Sequence, residues 1–352
     1  MSNATSAILA CEDVQRELYN YFMVCSPDTH QRRSPFLEML QSDANRSGIS
    51  LEVAPGGAKV KTVVMRYDQK VPVADVTEVT ECGLDCAVDN TVGDKSKEYT
   101  IDPCVKVKYG ESYSFTDFQY MCRTNEDYVN KRLLLMANAI EEKVAAKSAS
   151  EAILLQGNWA SDVTTTGDVL RIGTRLSGGL NLNANWMPEF DFATMQTAYC
   201  AGIGVFGAAE FYKAARLMNS GCCTSAGIDL ASVLANYGKA FEWDPYITAA
   251  FGDPSYSLVT QLGAMQLLTY TVGTAPEFRG FVNRGTNFEI IPLVTPRYGI
   301  PVDLVVANDC GNLSLIMTTS TKVVAAPLDM FPTSDVLSGV NYVNYAQAYT
   351  LS

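Results

Sequence analysis

The sequence offers few side chains for acid–base or metal chemistry. Its 352 residues include one histidine, His30, in the polar stretch SPDTHQRRSP. Histidine is the side chain that most often acts as a general base or metal ligand near neutral pH. We interpret His30 as an exposed loop residue. The near absence of histidine argues against most hydrolase and metalloenzyme mechanisms.

A glycine run matches the G-x-G-x-x-G pattern of dinucleotide-binding proteins, at Gly202-Ile-Gly204-Val-Phe-Gly207. That pattern requires a strand before the glycines and an acidic residue about 20 positions later. Asp229 lies at a tolerable distance, but residues 192–201 have a helical pattern and no βαβ unit surrounds them. We therefore predict a glycine-lined turn between helices and no cofactor. Neither a phosphate-binding loop nor a nucleophile elbow occurs in the sequence.

Four of the ten cysteines form the only metal-like cluster, Cys82, Cys86, Cys104 and Cys122. Four thiolates can hold zinc, and a disulfide formed late is a second alternative. The usual C-x-x-C pairs are missing, so separate packing thiols are the favoured interpretation. Cys222–Cys223 are adjacent, and a bridge between neighbours is strained. The sequence thus predicts no catalytic, cofactor-binding or metal-binding residue.

The composition favours self-association. Hydrophobic residues make up 47% of the chain and charged residues 18%, with 18 Tyr against 3 Trp. So few charges require a large core or extensive contacts with other copies, and Tyr suits such contacts. The net charge of −12 opposes binding of nucleic acid by bulk electrostatics. We interpret the small basic clusters, Arg32–Arg33 and Lys59 with Lys61, as solvated loop charges.

The N-terminal residues carry no targeting signal that we recognise. Residues 1–22 lack the basic region and long apolar core of a signal peptide. No apolar run reaches the roughly 18 residues that a membrane helix needs. We expect a chain that stays in the cytoplasm where it is made, with its cysteines reduced.

Two alternating segments lie in the first third of the chain, after an amphipathic helix predicted at residues 6–24 and a helical turn from Pro35 to Leu40. They are KVKTVVMRY, residues 59–67, and CVKVKYGESYSFTDFQYM, residues 104–121. A polar, turn-rich stretch separates them. Alternation on both sides of such a stretch predicts an extended antiparallel hairpin, or a small sheet with a projecting loop.

A long helix is the strongest local prediction, over residues 124–156. Thr124 and Asp127 form a helix-start pattern with acidic residues in the first turn. The apolar stripe consists of Val129, Leu133, Met136, Ile140 and Val144, and the charged face of Lys131, Arg132, Glu141, Glu142, Lys147 and Glu151. One narrow stripe predicts a helix that lies across a sheet.

The remaining chain divides into a helical and a strand-rich part. Residues 158–190 are polar and glycine-rich, which predicts loops with short strands. Residues 192–270 have a predominantly helical pattern. The last hundred residues alternate in NFEIIPLV, GIPVDLVVAN, NLSLIMTT and TKVVAAPL, with prolines kept from central ladder positions. The predicted fold class is α+β.

This order of elements resembles that of tailed-bacteriophage major capsid proteins, whose shell fold encapsulins share. The resemblance implies an N-terminal arm, an extended hairpin loop, a peripheral domain with a long spine helix, and an axial domain. The implied boundaries are residues 1–50 for the arm, 51–121 for the hairpin region, 122–190 with 301–352 for the peripheral domain, and 191–300 for the axial domain. The spine helix corresponds to residues 124–156. No short motif carries the resemblance, so no functional residue is transferred.

The resemblance implies a structural protein that is not an enzyme. Its copies would assemble as hexamers and pentamers into an icosahedral shell, the virion capsid, which encloses viral DNA without sequence-specific binding. Portal, scaffold and decoration proteins would be further partners, and a membrane would not. The alternatives are an encapsulin-like compartment or another virion protein, a cytoplasmic enzyme that uses carboxylates or thiols, and a binding or adhesion module.

The cysteine cluster provides the first testable prediction. We expect Cys82, Cys86, Cys104 and Cys122 to remain separate thiols, because alternate residues of a strand face opposite sides of a sheet. Intact mass measured without reductant should equal that of the fully reduced chain, and zinc analysis should find no metal. One zinc per subunit, or a mass lower by two hydrogens per bridge, would contradict the prediction.

Overall fold

A computed structural model describes residues 31–41, 50–53, 61–67, 95–114, 125–157, 170–171, 173–176, 179–182, 186–196, 202–213, 239–272, 288–309, 312–325, 343–348 and 350–351. The helices in these ranges are α1 (Pro35–Gln41), α2 (Asn125–Leu154), α3 (Trp186–Gln196) and α4 (Pro245–Phe251), and residues 209–213 are also helical. None of the helices described is both long and apolar enough to span a membrane.

The strands in the same ranges are β1 (Ser50–Val53), β2 (Lys61–Tyr67), β3 (Lys95–Ile101), β4 (Val107–Ser114), β5 (Leu170–Arg171), β6 (Gly173–Leu176), β7 (Gly179–Leu182), β8 (Ile203–Gly207), β9 (Lys239–Trp243), β10 (Tyr256–Gln261), β11 (Met265–Tyr270), β12 (Phe288–Val294), β13 (Pro301–Asp309), β14 (Asn312–Ala325), β15 (Val343–Gln347) and β16 (Thr350–Leu351). Helices and mainly antiparallel sheets occur together, which confirms the α+β class.

The main sheet consists of β4, β11, β12, β13 and β14. Strand β14 pairs with β13 on one side, and β12 follows β13. On its other side, the first half of β14 pairs with β4, and the second half of β14 pairs with β11. All these pairs are antiparallel. Strands from before and after α2 therefore form one sheet.

A second sheet has the strand order β5-β15-β10-β8-β9. Strand β10 is antiparallel to β8 and β15, whereas β9 and β5 are parallel to their neighbours. Strand β15 comes from the predicted peripheral segment 301–352, and β10 from the predicted axial segment 191–300. The domain boundaries remain a prediction.

The long helix was predicted correctly. Helix α2 runs without a break from Asn125 to Leu154, and the five residues of its predicted stripe are all buried. Thr124, the predicted start, lies outside the described residues. The helix packs on β14 and β4 of the main sheet, as expected for a helix lying across a sheet.

The charged face of α2 was predicted only in part. Six further residues form a second buried stripe about 100° round the helix from the first: Leu134, Ala137, Glu141, Ala145, Ser148 and Ala152. Helices α4 and α1 also pack on α2, so a second layer covers the helix besides the sheet. Glu141, which we assigned to the exposed face, is therefore fully buried.

The hairpin differs from the prediction in its second strand. Strand β2 pairs with β3, from Lys61↔Ile101 to Tyr67↔Lys95, and β1 pairs with the other side of β2. The segment we had assigned to the hairpin, residues 104–121, contains β4, which joins the main sheet instead. The alternating pattern of β4 arises from pairing with β14, and sequence periodicity does not identify the partner.

Within the described part of residues 192–270, the helical prediction was largely wrong, and residues 197–201 and 214–238 lie outside the described residues. This range contains β8, β9, β10 and β11 as well as the end of α3 and the whole of α4. All five residues of β8 are buried, as are the four central residues of β10. A strand buried on both faces has no polar–apolar alternation, so short apolar runs of this kind are not distinguishable from helix by periodicity.

The C-terminal strands were predicted well. NFEIIPLV contains β12, GIPVDLVVAN contains most of β13, and the next two runs merge into the 14-residue β14. Pro292 lies within β12, which is an edge strand of the main sheet, and Pro301 is the first residue of β13. At both positions, the missing N–H removes no central ladder bond.

Replacement of Leu133 by Ala should lower the free energy of unfolding. Leu133 is 0% exposed in the core between α2 and its neighbours. Its truncation leaves a cavity and costs roughly 2–4 kcal/mol. Leu154→Ala, on the same helix but 84% exposed, is the matched control and should change stability by less than about 0.5 kcal/mol. Chemical denaturation of both variants measures the difference, and equal stabilities would contradict the packing of α2.

Candidate functional site

The structure describes few of the residues considered for chemistry. His30, Asp229, Cys82, Cys86, Cys122, Cys222 and Cys223 all lie outside the described residues. Cys104 is exposed, and its backbone N–H donates to the Asp102 carboxylate at 2.8 Å in the turn before β4. Within the described ranges, no group of three or more histidine, cysteine or acidic residues could hold a metal ion. The convergence of the cysteines stays untested.

The glycine run lies in a buried strand, not in the predicted turn between helices. Gly204 and Gly207 belong to β8, which pairs with β9 on one side and β10 on the other. Gly207 has a φ of 137°, and a Cβ added there would lie 2.8 Å from the carbonyl oxygen of Tyr256. The glycine at position 207 thus allows close approach of two backbones.

Two buried carboxylates form the most pronounced polar site of the described chain, and sequence reasoning assigned neither of them a role. Asp244 and Glu141 are both 0% exposed. A buried carboxylate is stable only when hydrogen bonds or opposite charges compensate for lost solvation. The donors at both sites come partly from residues 31–41, which we call the anchor segment.

Asp244 caps the first turns of two helices. Its Oδ1 accepts hydrogen bonds from the backbone N–H groups of Tyr246 and Ile247 in α4, at 2.9 and 3.2 Å. Its Oδ2 accepts from the Ser34 hydroxyl at 2.7 Å and from the Phe36 N–H at 3.0 Å, at the start of α1. One carboxylate therefore satisfies donors at both helix starts, where the helix dipoles favour negative charge.

Ser34 completes the cap of α1. Its hydroxyl oxygen accepts the Leu37 N–H at 3.2 Å, and its backbone oxygen accepts the Glu38 N–H at 3.1 Å. Its own N–H donates to the Tyr298 hydroxyl at 2.7 Å. Ser34 thus both donates and accepts hydrogen bonds, which fix the position of the chain at the start of α1.

Glu141 attaches the same segment to the long helix. Its Oε2 accepts the Gln31 side-chain amide at 2.6 Å, and its Oε1 accepts the backbone N–H groups of Arg297 and Tyr298 at 3.2 and 3.1 Å. The Arg297 guanidinium donates to the Gln31 backbone oxygen at 3.1 Å. Glu141 consequently joins α2, the anchor segment and the turn between β12 and β13.

Apolar contacts reinforce this attachment. Phe36, Leu37 and Leu40 are buried in the same core as α2. The Phe36 ring lies 5.6 Å from that of Phe206 in β8, in an edge-to-face arrangement that is favourable for aromatic pairs. The anchor segment is therefore held by hydrophobic packing as well as by the two carboxylates.

In the described residues, hydrogen bonds to the chain take up the oxygens of both carboxylates. Four donors occupy the oxygens of Asp244, and three occupy those of Glu141. Carboxylates satisfied in this way restrict geometry and do not accept a substrate proton. We therefore interpret the site as structural: its hydrogen bonds attach the anchor segment to the rest of the protein.

Burial raises the pKa of the Asp244 carboxyl above its ordinary value of 3.8, and its four hydrogen bonds act in the opposite direction. Because the pKa of Asp244 is higher in the folded state, folding takes up a proton between pH 3.8 and the folded-state pKa. This contribution to stability is complete below pH 3.8 and is lost as the pH rises through the folded-state pKa. Burial also raises the pKa of the neighbouring Tyr298 hydroxyl.

Part of this site could have been found in the sequence. Ser34-Pro35 correctly predicted the start of α1, which ends one residue beyond the predicted turn. Asp244-Pro245 has the same form, an N-cap residue followed by proline at the first helical position. Glu141 carries no such signal, because its burial depends on which elements pack against α2.

No family model and no curated protein matches the sequence. Solved structures do resemble the chain. The capsid of Ralstonia phage GP4 is 9% identical, with 94% of each chain covered and a TM-score of 0.47. The capsid of Cyanophage P-SCSP1u is 11% identical, covering 94% of this chain and 91% of that chain, with a TM-score of 0.45. A virus-like particle from Pyrococcus furiosus is 9% identical, covering 89% and 99%, with a TM-score of 0.34.

Two of these structures are phage capsids, and the third is a virus-like particle.

Replacement of Asp244 by Ala should destabilise the subunit. The change removes one helix cap and leaves buried N–H donors of α1 and α4 unpaired, which costs about 2–4 kcal/mol. In the wild type, Asp244 contributes more to stability at acidic pH than at neutral pH. The variant should lack this pH-dependent contribution. Denaturation at acidic and neutral pH measures both effects.

Asp102→Ala is the control for this change. Asp102 is exposed and accepts one hydrogen bond in a turn, so water can replace it. Its loss should change stability by less than about 0.5 kcal/mol. Equal effects of the two substitutions would show that Asp244 does not anchor the segment.

Proposed function

We propose that this protein is a major capsid protein that assembles with copies of itself into an icosahedral shell around a viral DNA genome. The observation that carries the proposal is the main sheet. Strands on both sides of α2 in sequence build this sheet, and the 30-residue α2 lies across it. This arrangement corresponds to the peripheral domain with spine helix that the resemblance to phage capsid proteins implies.

The hairpin strands leave from the same sheet. Ile101, at the end of β3, packs with Leu268, Tyr270 and Val324. The Tyr99 hydroxyl donates to the Ala325 backbone oxygen at 2.6 Å. Strands β2 and β3 extend from this root for seven residues, or about 20 Å at 3.3 Å per residue. A narrow sheet of two or three short strands has little core of its own, so contact with another subunit would stabilise it.

Exposed apolar side chains at the edges of the main sheet also support self-association. Tyr109 on the edge strand β4 is 41% exposed, and Val294 at the end of the opposite edge strand β12 is 44% exposed. Unpaired strand edges with large apolar groups favour contacts with other chains. Together with the low content of charged residues, these edges suit a subunit that is surrounded by neighbours.

The proposal includes the finer expectations from the sequence. Residues 1–50 would be the arm, fastened at the anchor segment, and 51–121 the hairpin region. Residues 122–190 with 301–352 would be the peripheral domain and 191–300 the axial domain, although β4 joins the peripheral sheet and β15 pairs with β10. The protein would form hexamers and pentamers in the virion, after synthesis in the host cytoplasm, and would catalyse no reaction. Portal, scaffold and decoration proteins would be additional partners.

Particle formation tests the function directly. The full-length protein, expressed alone or with phage assembly partners, should give closed particles or capsomers in negative-stain microscopy and in light scattering. A small oligomer of fixed size under all these conditions would contradict the proposal. Nucleic acid inside particles purified from infected cells distinguishes a capsid from an encapsulin-like compartment, which would contain protein cargo.

A further inference from the structure

A groove between β4 and α2 carries four lysines. It has a volume of about 480 Å³, and Lys106, Lys108, Lys143 and Lys147 are among its lining residues. None of the described lining residues is acidic. We call this feature the lysine groove. On a chain with a net charge of −12, it is a local excess of positive charge, which suits an anionic ligand.

Three of the four lysines have no carboxylate partner in the described part of the chain. Lys106, Lys108 and Lys143 are exposed, and none of the ion pairs between described residues includes them. The fourth, Lys147, lies 3.7 Å from the Glu151 carboxylate. Three ammonium groups of the lysine groove are therefore available to a ligand.

The spacing of the lysines matches that of phosphates in a DNA strand. Lys106 and Lys108 are two residues apart where β4 begins, which is about 6.6 Å at roughly 3.3 Å per residue. Lys143 and Lys147 lie on one face of α2, about 6 Å apart along the helix axis. The phosphates of one DNA strand recur roughly every 3.4 Å along the duplex, so every second phosphate is about 6.8 Å further on. Each pair of lysines therefore fits two phosphates of the same strand.

The choice of lysine favours a nucleic acid over an acidic protein as the ligand. Protein–protein interfaces are enriched in arginine and depleted in lysine. The planar guanidinium of arginine binds a carboxylate through two parallel hydrogen bonds, whereas a lysine ammonium acts as a point charge that binds phosphate without such geometry. Among its described lining residues, the lysine groove has no arginine. It is therefore suited to phosphate contacts that do not depend on base sequence.

We propose that the lysine groove binds the phosphate backbone of double-stranded DNA. The inference rests on the proposed function, in which the shell encloses viral DNA. It adds that the junction of β4 and α2 faces the interior of that shell. Phosphate contacts carry no sequence information, as expected for a wall that meets every part of a genome.

The acidic character of the whole chain limits this contact without preventing it. At physiological ionic strength, charges act over about 8 Å. The lysines therefore dominate the potential at a phosphate that lies in the groove. The net charge of −12 repels the DNA beyond the groove. We therefore expect the binding to be weak and strongly dependent on salt.

A titration of a short labelled DNA duplex with the full-length protein tests the proposal, with fluorescence anisotropy as the readout. The double variant Lys106→Gln with Lys143→Gln should bind about tenfold more weakly than the wild type at low salt. The slope of the logarithm of the affinity against that of the salt concentration should fall by about 1.8, since each phosphate contact contributes about 0.9. Lys106→Arg with Lys143→Arg keeps both charges and should bind like the wild type. Lys213→Gln, which removes an exposed lysine outside the groove, should do the same.

A polyglutamate probe separates the two kinds of polyanion. The wild type should bind polyglutamate more weakly than a duplex of equal charge. If the glutamine variant loses polyglutamate binding and keeps duplex binding, an acidic protein is the ligand and the proposal is wrong. An unchanged affinity for the duplex together with an unchanged salt slope would also overturn it.

Chemical modification of particles tests the location of the groove. Lys106 and Lys143 should react more slowly with a small acylating reagent in DNA-filled particles than in empty ones, as read by mass spectrometry of their peptides. Equal reactivity in both would overturn the inference and leave the capsid function intact. Absence of particles would instead contradict the proposed function, and the duplex titration tests the groove in either case.

Discussion

The burial of α2 on two adjacent stripes is the constraint on which the rest of the structure depends. The first stripe, from Val129 to Val144, is long and narrow. The second stripe, from Leu134 to Ala152, is rich in alanine. A single sheet does not cover both, because together they extend over about half of the helix circumference. The main sheet with the layer of α1 and α4 provides the necessary cover. These elements come from distant parts of the sequence, and contact with α2 brings them together.

The second buried stripe also accounts for the charged residues that we did not expect in the interior. Glu141 lies on it, and burial of its carboxylate requires hydrogen-bond donors from backbone or side chains nearby. The turn at residues 295–300 and the anchor segment supply those donors. Asp244 likewise accepts hydrogen bonds from backbone N–H groups at the starts of α1 and α4. The two carboxylates thus specify how the anchor segment lies against α2.

Several of the charged side chains lie where α2 meets β4. Arg132 of α2 makes a two-pronged hydrogen-bonded ion pair with Glu111 of β4, which connects the long helix to the edge of the main sheet. On the same two elements, Lys106, Lys108, Lys143 and Lys147 line one groove of this acidic protein. A chain with few charges places several of them at the junction of α2 and β4.

The sequence by itself determined the elements whose pattern is local. The 3.6-residue period and the acidic first turn defined α2, Ser34-Pro35 defined the start of α1, and alternation defined β4, β12, β13 and β14. Only the tertiary structure decided which strands pair. Strand β4 alternates whether it faces β2 or β14, and the register with β14 follows from the sheet below α2. The tertiary structure also decided the burial of β8, β10 and Glu141. Residues that are buried on all sides show no polar–apolar alternation, so their sequence does not indicate what packs against them.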